Sequence, residues 1–194
     1  MNYLAHAVLS FEHPDILTGN MISDFVKGNL QYQYSTSIQK GIRLHRAIDA
    51  FTDQHPAIRE AKLLLKPGAG GYAGPFIDIV LDHFLCKDVS ETPEEGWHKF
   101  ANDVYAHLET QSMLLPDRFA AMLPYMIQHN WLANYQFIHA IERSFHGIAR
   151  RAKYLEDATP AFQLFEKEYD ALQTIYNRFF PELKAYSFAK MQEL

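Results

Sequence analysis

Apolar residues recur along most of this chain at the three-to-four spacing of a helix, and the apolar-polar alternation of a half-buried strand is scarce. Residues 2–11 predict a short first helix with a histidine inside its apolar stretch, and a turn follows at Pro14. From Gly19 to Asn29, the residues Met21, Ile22, Phe25 and Val26 fall at i, i+1, i+4 and i+5, a helical face bounded by glycines. The polar segment QYQYSTS offers serine and threonine caps for the next helix, expected over Ile38 to Thr52. His55-Pro56 ends that helix, and a further short one spans Ala57 to Leu65.

The glycine-rich run KPGAGGYAG, Lys66 to Gly74, reads as a mobile surface loop. It is not a phosphate-cradling P-loop, because no Gly-Lys-Ser/Thr closes it and no strand precedes it. Pro75 fits the first position of a strongly apolar helix, PFIDIVLDHFL. Thr92-Pro93-Glu94-Glu95 matches a capping box that opens a long helix to about Met113. Pro116 and Pro124 punctuate the next segment. Long helices are expected near 131–151 and 160–178, with a short terminal helix beyond Pro181. The pattern predicts an all-α fold, a single-domain helical bundle over residues 1–194.

Composition narrows the function classes. A chain of 194 residues suits one core, and 48% hydrophobic with 21% charged residues is globular rather than disordered. A net charge of −5 argues against coating nucleic acid through bulk charge. The one cysteine, Cys86, permits no intrachain disulfide and fits a reducing compartment. The first residues carry no basic region of the kind that opens a signal peptide. No apolar run approaches the roughly 18 residues of a bilayer span. A cytoplasmic protein with neither membrane nor nucleic-acid partner is expected.

Candidate chemistry sits on these helices. In RLHRAIDAFTD, His45, Asp49 and Asp53 stand four apart, so they share one helical face. Spacing alone leaves two readings open, a cation site or a solvated, salt-bridged surface. Asp78 and Asp82 lie one turn apart in an apolar helix, where an unpaired carboxylate costs several kcal/mol. Arginines or a metal ion could compensate them. His83 follows Asp82, and imidazole beside carboxylates is a mixed ligand set for Mn²⁺, Zn²⁺ or Fe²⁺. Asn2 and His6 share a face of the first helix, and Asp24 lies in an apolar segment between glycines. The candidate metal ligands are therefore His6, Asp24, His45, Asp78, Asp82 and His83, expected to converge on one pocket.

In order and spacing, MNYLAH, GNMISDFVKG, GIRLHRAIDAFTDQHP and DIVLDHFL resemble the acyl carrier protein phosphodiesterase family, with GIARRAKYL as a further match. The likeness is dense in the first 90 residues and sparse afterwards. It implies a distant relative of the all-α, HD-domain-like phosphohydrolases that removes the phosphopantetheine arm from holo acyl carrier protein. It also implies a divalent metal as cofactor, Mn²⁺ by preference. HD proteins carry an adjacent His-Asp pair, whereas here Asp82-His83 is reversed and His45 and Asp49 are separated, so the ligand assignment stays open.

The residues fit that chemistry independently. Arg46 and Lys27 are candidate phosphate clamps, and Asp49 or Asp53 could take a proton from attacking water or orient a ligand histidine. The family substrate is a small acidic helical protein, so Arg143, Arg150, Arg151 and Lys153 are the expected docking surface. Two alternatives keep the same residues: a phosphohydrolase for a nucleotide or other small phosphoester, and a helical interaction module whose histidines and aspartates only pack.

Overall fold

The computed structural model describes residues 1–194, and its architecture is all-α. Helices α1 (Tyr3–Val8), α2 (Pro14–Ile22) and α3 (Thr36–Gln54) are followed by α4 (Pro56–Ala69), α5 (Ala73–Lys87) and α6 (Gly96–Thr110). The second half holds α7 (Asp117–Gln128), α8 (Trp131–Asn134), α9 (Ile138–Ala149), α10 (Thr159–Lys167) and α11 (Tyr169–Glu193). Their apolar faces meet in one core of 53 buried residues that reaches from Met1 to Met191. Helix α5 is its spine, with buried side chains all around it, and packs against α1, α4, α9 and α11.

Backbone proximity, rather than side-chain interlocking, joins α2 to α3. A Cβ on Gly19 would lie 2.0 Å from the Ile38 carbonyl oxygen, and one on Gly41 would lie 2.3 Å from that of Ile16. Both positions therefore admit only glycine. Ser35 caps α3 by accepting from the Ile38 amide, as the polar connector predicts.

Several boundaries differ from those the pattern predicts. The helix expected over 19–29 starts at Pro14 and ends at Ile22; the chain then turns through short 3₁₀ segments, Ser23–Phe25 and Gly28–Gln33. Gly19 is a packing residue inside α2, and the break comes at Gly28, whose φ of +54° is left-handed. The Lys66–Gly74 loop does not exist as such. Helix α4 runs on to Ala69, because Gly68 allows α10 to approach: a Cβ there would lie 2.6 Å from the Pro160 carbonyl carbon. Pro75 is consequently the third residue of α5 rather than the first, still inside the turn whose N–H groups need no intrahelical acceptor.

The capping box at 92–95 does not form. Thr92 Oγ1 donates to the Asp88 carbonyl, and α6 begins at Gly96 without a side-chain cap. The helix expected over 131–151 is broken between Asn134 and Ile138, and that over 160–178 is broken at Glu168. Pro181 does not separate a terminal helix. It lies inside α11, where burial of Phe179, Phe180 and Leu183 outweighs a proline cost of about 3 kcal/mol.

Asp82 ties α1 to α5. It is fully buried, and its two oxygens accept from the Asn2 amide at 3.2 Å and the Leu4 amide at 2.8 Å. These amides open α1, so the carboxylate complements the positive end of that helix.

Two predictions follow from this packing. Gly41→Ala should push α2 off α3 and cost about 1–3 kcal/mol, read from the urea midpoint. Asp82→Ala strands two buried N–H groups, each worth about 1–3 kcal/mol, so a loss on the order of 2–5 kcal/mol is expected. An Asp82→Ala variant with the midpoint of the unmodified protein would refute the anchoring role.

Candidate metal centre

Three helices bring His6, His45 and Asp49 together. Helix α1 supplies His6, and α3 supplies His45 and Asp49 one turn apart, while α2 runs between them and presents Asn20. One ligand-type atom from each of His6, His45 and Asp49 lies within 4.8 Å of the others. The imidazoles are buried and stacked, with centroids 3.9 Å apart and planes at 14°. His6 Nε2 is 3.2 Å from Asp49 Oδ1, and His45 Nε2 is 3.1 Å from Asp49 Oδ2. Asp24, from the turn after α2, places Oδ1 3.4 Å from His45 Nε2 and is the most exposed member at 64%.

The other nitrogen of each ring is committed. His6 Nδ1 lies 2.9 Å from Asn20 Oδ1, and His45 Nδ1 lies 2.7 Å from the Asn20 carbonyl oxygen. Both partners accept, so both Nδ1 atoms donate. The two Nε2 atoms are then the positions left to meet a cation, and neither has a hydrogen bond of proper alignment. Of three buried side-chain atoms without a partner, the third being Asn130 Oδ1, two thus face the same carboxylate. Two donors bound at about 2.1 Å to one cation stand roughly 3.0–3.5 Å apart. The observed N···O separations of 3.1 to 3.4 Å fall in that interval, so the donor set fits a divalent ion.

Electrostatics agrees with this geometry. Burial, and next the adjacent His45, push His6 down to about 4, which keeps it neutral. Burial opposes charge on His45 as well, but Asp24 and Asp49 outweigh it and raise that ring to about 9. Burial also disfavours the Asp49 anion, yet His45 and His6 overcome this and hold it far below the usual carboxylate range. A proton on His45 thus occupies the place a metal cation would take.

The remaining expected residues distribute as follows. Lys27, Gly28 and Arg46 line, with Asp24, His45 and Asp49, a cleft of about 400 Å³ that opens on the pair. Arg46 also braces the cleft wall, donating to the Val26 carbonyl at 2.9 Å and to Gln31 Oε1 at 3.1 Å. Asp78 reaches only the edge, 3.0 Å from the Met1 ammonium, which is itself 3.8 Å from Asp49. Asp82 does not join the cluster, since both its oxygens hold α1.

His83 points away as well. Its Nδ1 lies 2.7 Å from the Tyr135 carbonyl oxygen, and its Nε2 lies 2.8 Å from the Tyr169 hydroxyl. On α5 it is rotated about 100° from Asp82, which sends the two to different neighbours. Asp53 is paired with Lys62 at 2.8 Å, on exposed surface. Convergence of all six expected ligands is therefore corrected to His6, Asp24 and His45, joined by Asp49. Sequence reasoning did not find Asn20, because an asparagine in an apolar helix carries no spacing signal.

Arg143, Arg150, Arg151 and Lys153 are exposed around the end of α9, and none forms an ion pair. Lys153 Nζ rests 5.1 Å from the Tyr154 ring centroid. Burial pushes the Tyr3 phenol up to about 12, Asp24 adds to the rise, and Arg151 opposes it.

No solved structure matches the chain. It is 34% identical over 187 residues to an acyl carrier protein phosphodiesterase of Enterobacter sp. (strain 638), covering 94% of this chain and 95% of the relative. A protein of the same description from Photorhabdus laumondii is 31% identical over 182 residues, 93% of this chain and 92% of the relative. One from Klebsiella pneumoniae is 33% identical over 186 residues, covering 94% and 95%. The family profile described as acyl carrier protein phosphodiesterase matches residues 1–183, a span that holds every residue of the cluster and of the basic patch. This chain belongs to the acyl carrier protein phosphodiesterase family.

Proposed function

We propose that this protein is a metal-dependent phosphodiesterase that hydrolyses the phosphopantetheine arm from holo acyl carrier protein, leaving the apo carrier. The observation that carries the reading is the pair of buried Nε2 atoms, without hydrogen-bond partners, aimed at Asp49 beside an open cleft lined by cations. His6, His45 and Asp49 hold the cation, and Asp24 stands beside them on the solvent side. Mn²⁺ suits two imidazoles with carboxylates.

A phosphodiester resists hydrolysis because its anion repels nucleophiles. When bound, the metal supplies Lewis acidity toward phosphate oxygen and lowers the pKa of water. The chain's own groups do the rest. Lys27 and Arg46 draw the phosphate into the cleft and offset its charge, and Arg46 keeps the wall formed by Val26 and Gln31 in place. Asp24, half open to solvent, takes the proton of the attacking water. Water adds to phosphorus as the bond to the carrier's oxygen breaks, and the released alkoxide takes up a proton. The unpaired cations at 143–153 receive the acidic carrier and set its arm toward the cleft.

Metal binding must displace the proton held on His45, so affinity for Mn²⁺ should rise with pH up to about 9. Below that value the apparent Kd should change about tenfold per pH unit, with roughly one proton released, as calorimetry in buffers of different ionisation enthalpy would read. Asp49→Asn should abolish binding and turnover together. Hydrolysis of holo carrier protein with Mn²⁺, alongside a nucleotide panel, tests the substrate assignment; turnover of nucleotides alone would refute it.

Charge reversal at Arg150 and Arg151 should raise KM for the carrier protein and flatten its salt dependence, since rim charges act on encounter and are screened over about 8 Å. A small artificial phosphodiester should be cleaved as before. Equal loss on both substrates would instead put these arginines in the chemistry.

A further inference from the structure

We infer that Asn20 is the positioning residue of the metal centre, fixing through one residue the tautomer and direction of both ligand histidines. The inference rests on the metal-dependent reading of the site. Asn20 is wholly buried in α2 and faces both rings at once. Its side-chain oxygen is 2.9 Å from His6 Nδ1, and its main-chain oxygen is 2.7 Å from His45 Nδ1.

The orientation of the amide is determined by its other half. Asn20 Nδ2 donates to the His6 carbonyl at 2.8 Å and to Ser10 Oγ at 3.1 Å, while Ser10 Oγ donates to the same carbonyl at 2.8 Å. A flipped amide would set oxygen against the His6 carbonyl oxygen, which only accepts. Oδ1 therefore faces His6, and His6 must carry its proton on Nδ1. The lone pair of Nε2 is left pointing at Asp49, where a cation would sit. His45 is placed in the same tautomer by an acceptor that no side-chain substitution can remove. Hydrogen bonds of this kind orient ligand imidazoles and raise their basicity, and losing one typically lowers metal affinity about 10–100-fold.

This asymmetry gives a test with an internal control. In Asn20→Ala, His6 loses its acceptor and His45 keeps the main-chain one. Calorimetric titration with Mn²⁺ should show affinity reduced about 10–100-fold in Asn20→Ala. Nitrogen NMR of histidine-labelled, metal-free protein should show His6 with its proton on Nδ1. That preference should be lost in Asn20→Ala, with His45 Nδ1 still protonated.

A folded Asn20→Ala protein that binds Mn²⁺ undiminished overturns the inference. So does an unmodified protein in which His6 carries its proton on Nε2, a result that stands even if the alanine variant fails to fold. An unmodified protein that takes up neither Mn²⁺ nor Zn²⁺ would remove the metal reading. In that case the His6 tautomer still decides whether Asn20 directs the ring.

Discussion

The glycine contact between α2 and α3 is the constraint on which the site depends. With no side chain at Gly19 or Gly41, the two backbones come within van der Waals reach, and Asn20 arrives beside α3 as a consequence. Its main-chain oxygen then meets His45 directly, and Ser23 Oγ, in the turn that follows α2, donates to the Ile42 carbonyl. Asp49 follows one turn along α3. Had a methyl separated these helices, the carbonyl of Asn20 and the ring of His45 would no longer meet.

Around that contact the interior is unusually polar for its depth. His6, Ser10, Thr18, Asn20, Ser23 and His45 are all buried. Such groups are tolerated because they satisfy one another: Ser10, Asn20 and the His6 carbonyl form a closed ring of donors and acceptors, and Thr18 reaches His107 at 2.9 Å. Against that background, two Nε2 atoms that have no hydrogen bond and share one carboxylate are informative. A cation there would complete the buried network around α2 and α3.

Charge is distributed to the same end. The chain is acidic overall, yet the cleft carries Lys27 and Arg46, and the end of α9 gathers unpaired cations. Lys62, Lys99, Lys184 and Lys190, by contrast, are paired with Asp53, Asp103, Glu91 and Glu193. The net charge of −5 conceals these local gatherings of positive charge.

The sequence by itself determined the helical class, most helices and the capping serine of α3, because the 3.6-residue period and a side-chain cap are local properties. It also put forward His6, Asp24, His45 and Asp49 as candidates, together with Asp53, Asp78, Asp82 and His83, since ligand-type residues on apolar faces are costly without partners. What it could not determine was the role of each glycine and the direction of each buried polar group. Gly19 and Gly68 read as breakers and proved, like Gly41 inside its helix, to be contacts, because the neighbour that requires them comes from another helix. Asp82 and His83, adjacent in sequence and alike in promise, were separated by rotation about α5 into an anchor for α1 and a link to Tyr135 and Tyr169. Only tertiary packing decided which carboxylate met the imidazoles, because the partners of a buried polar group lie across space rather than along the chain.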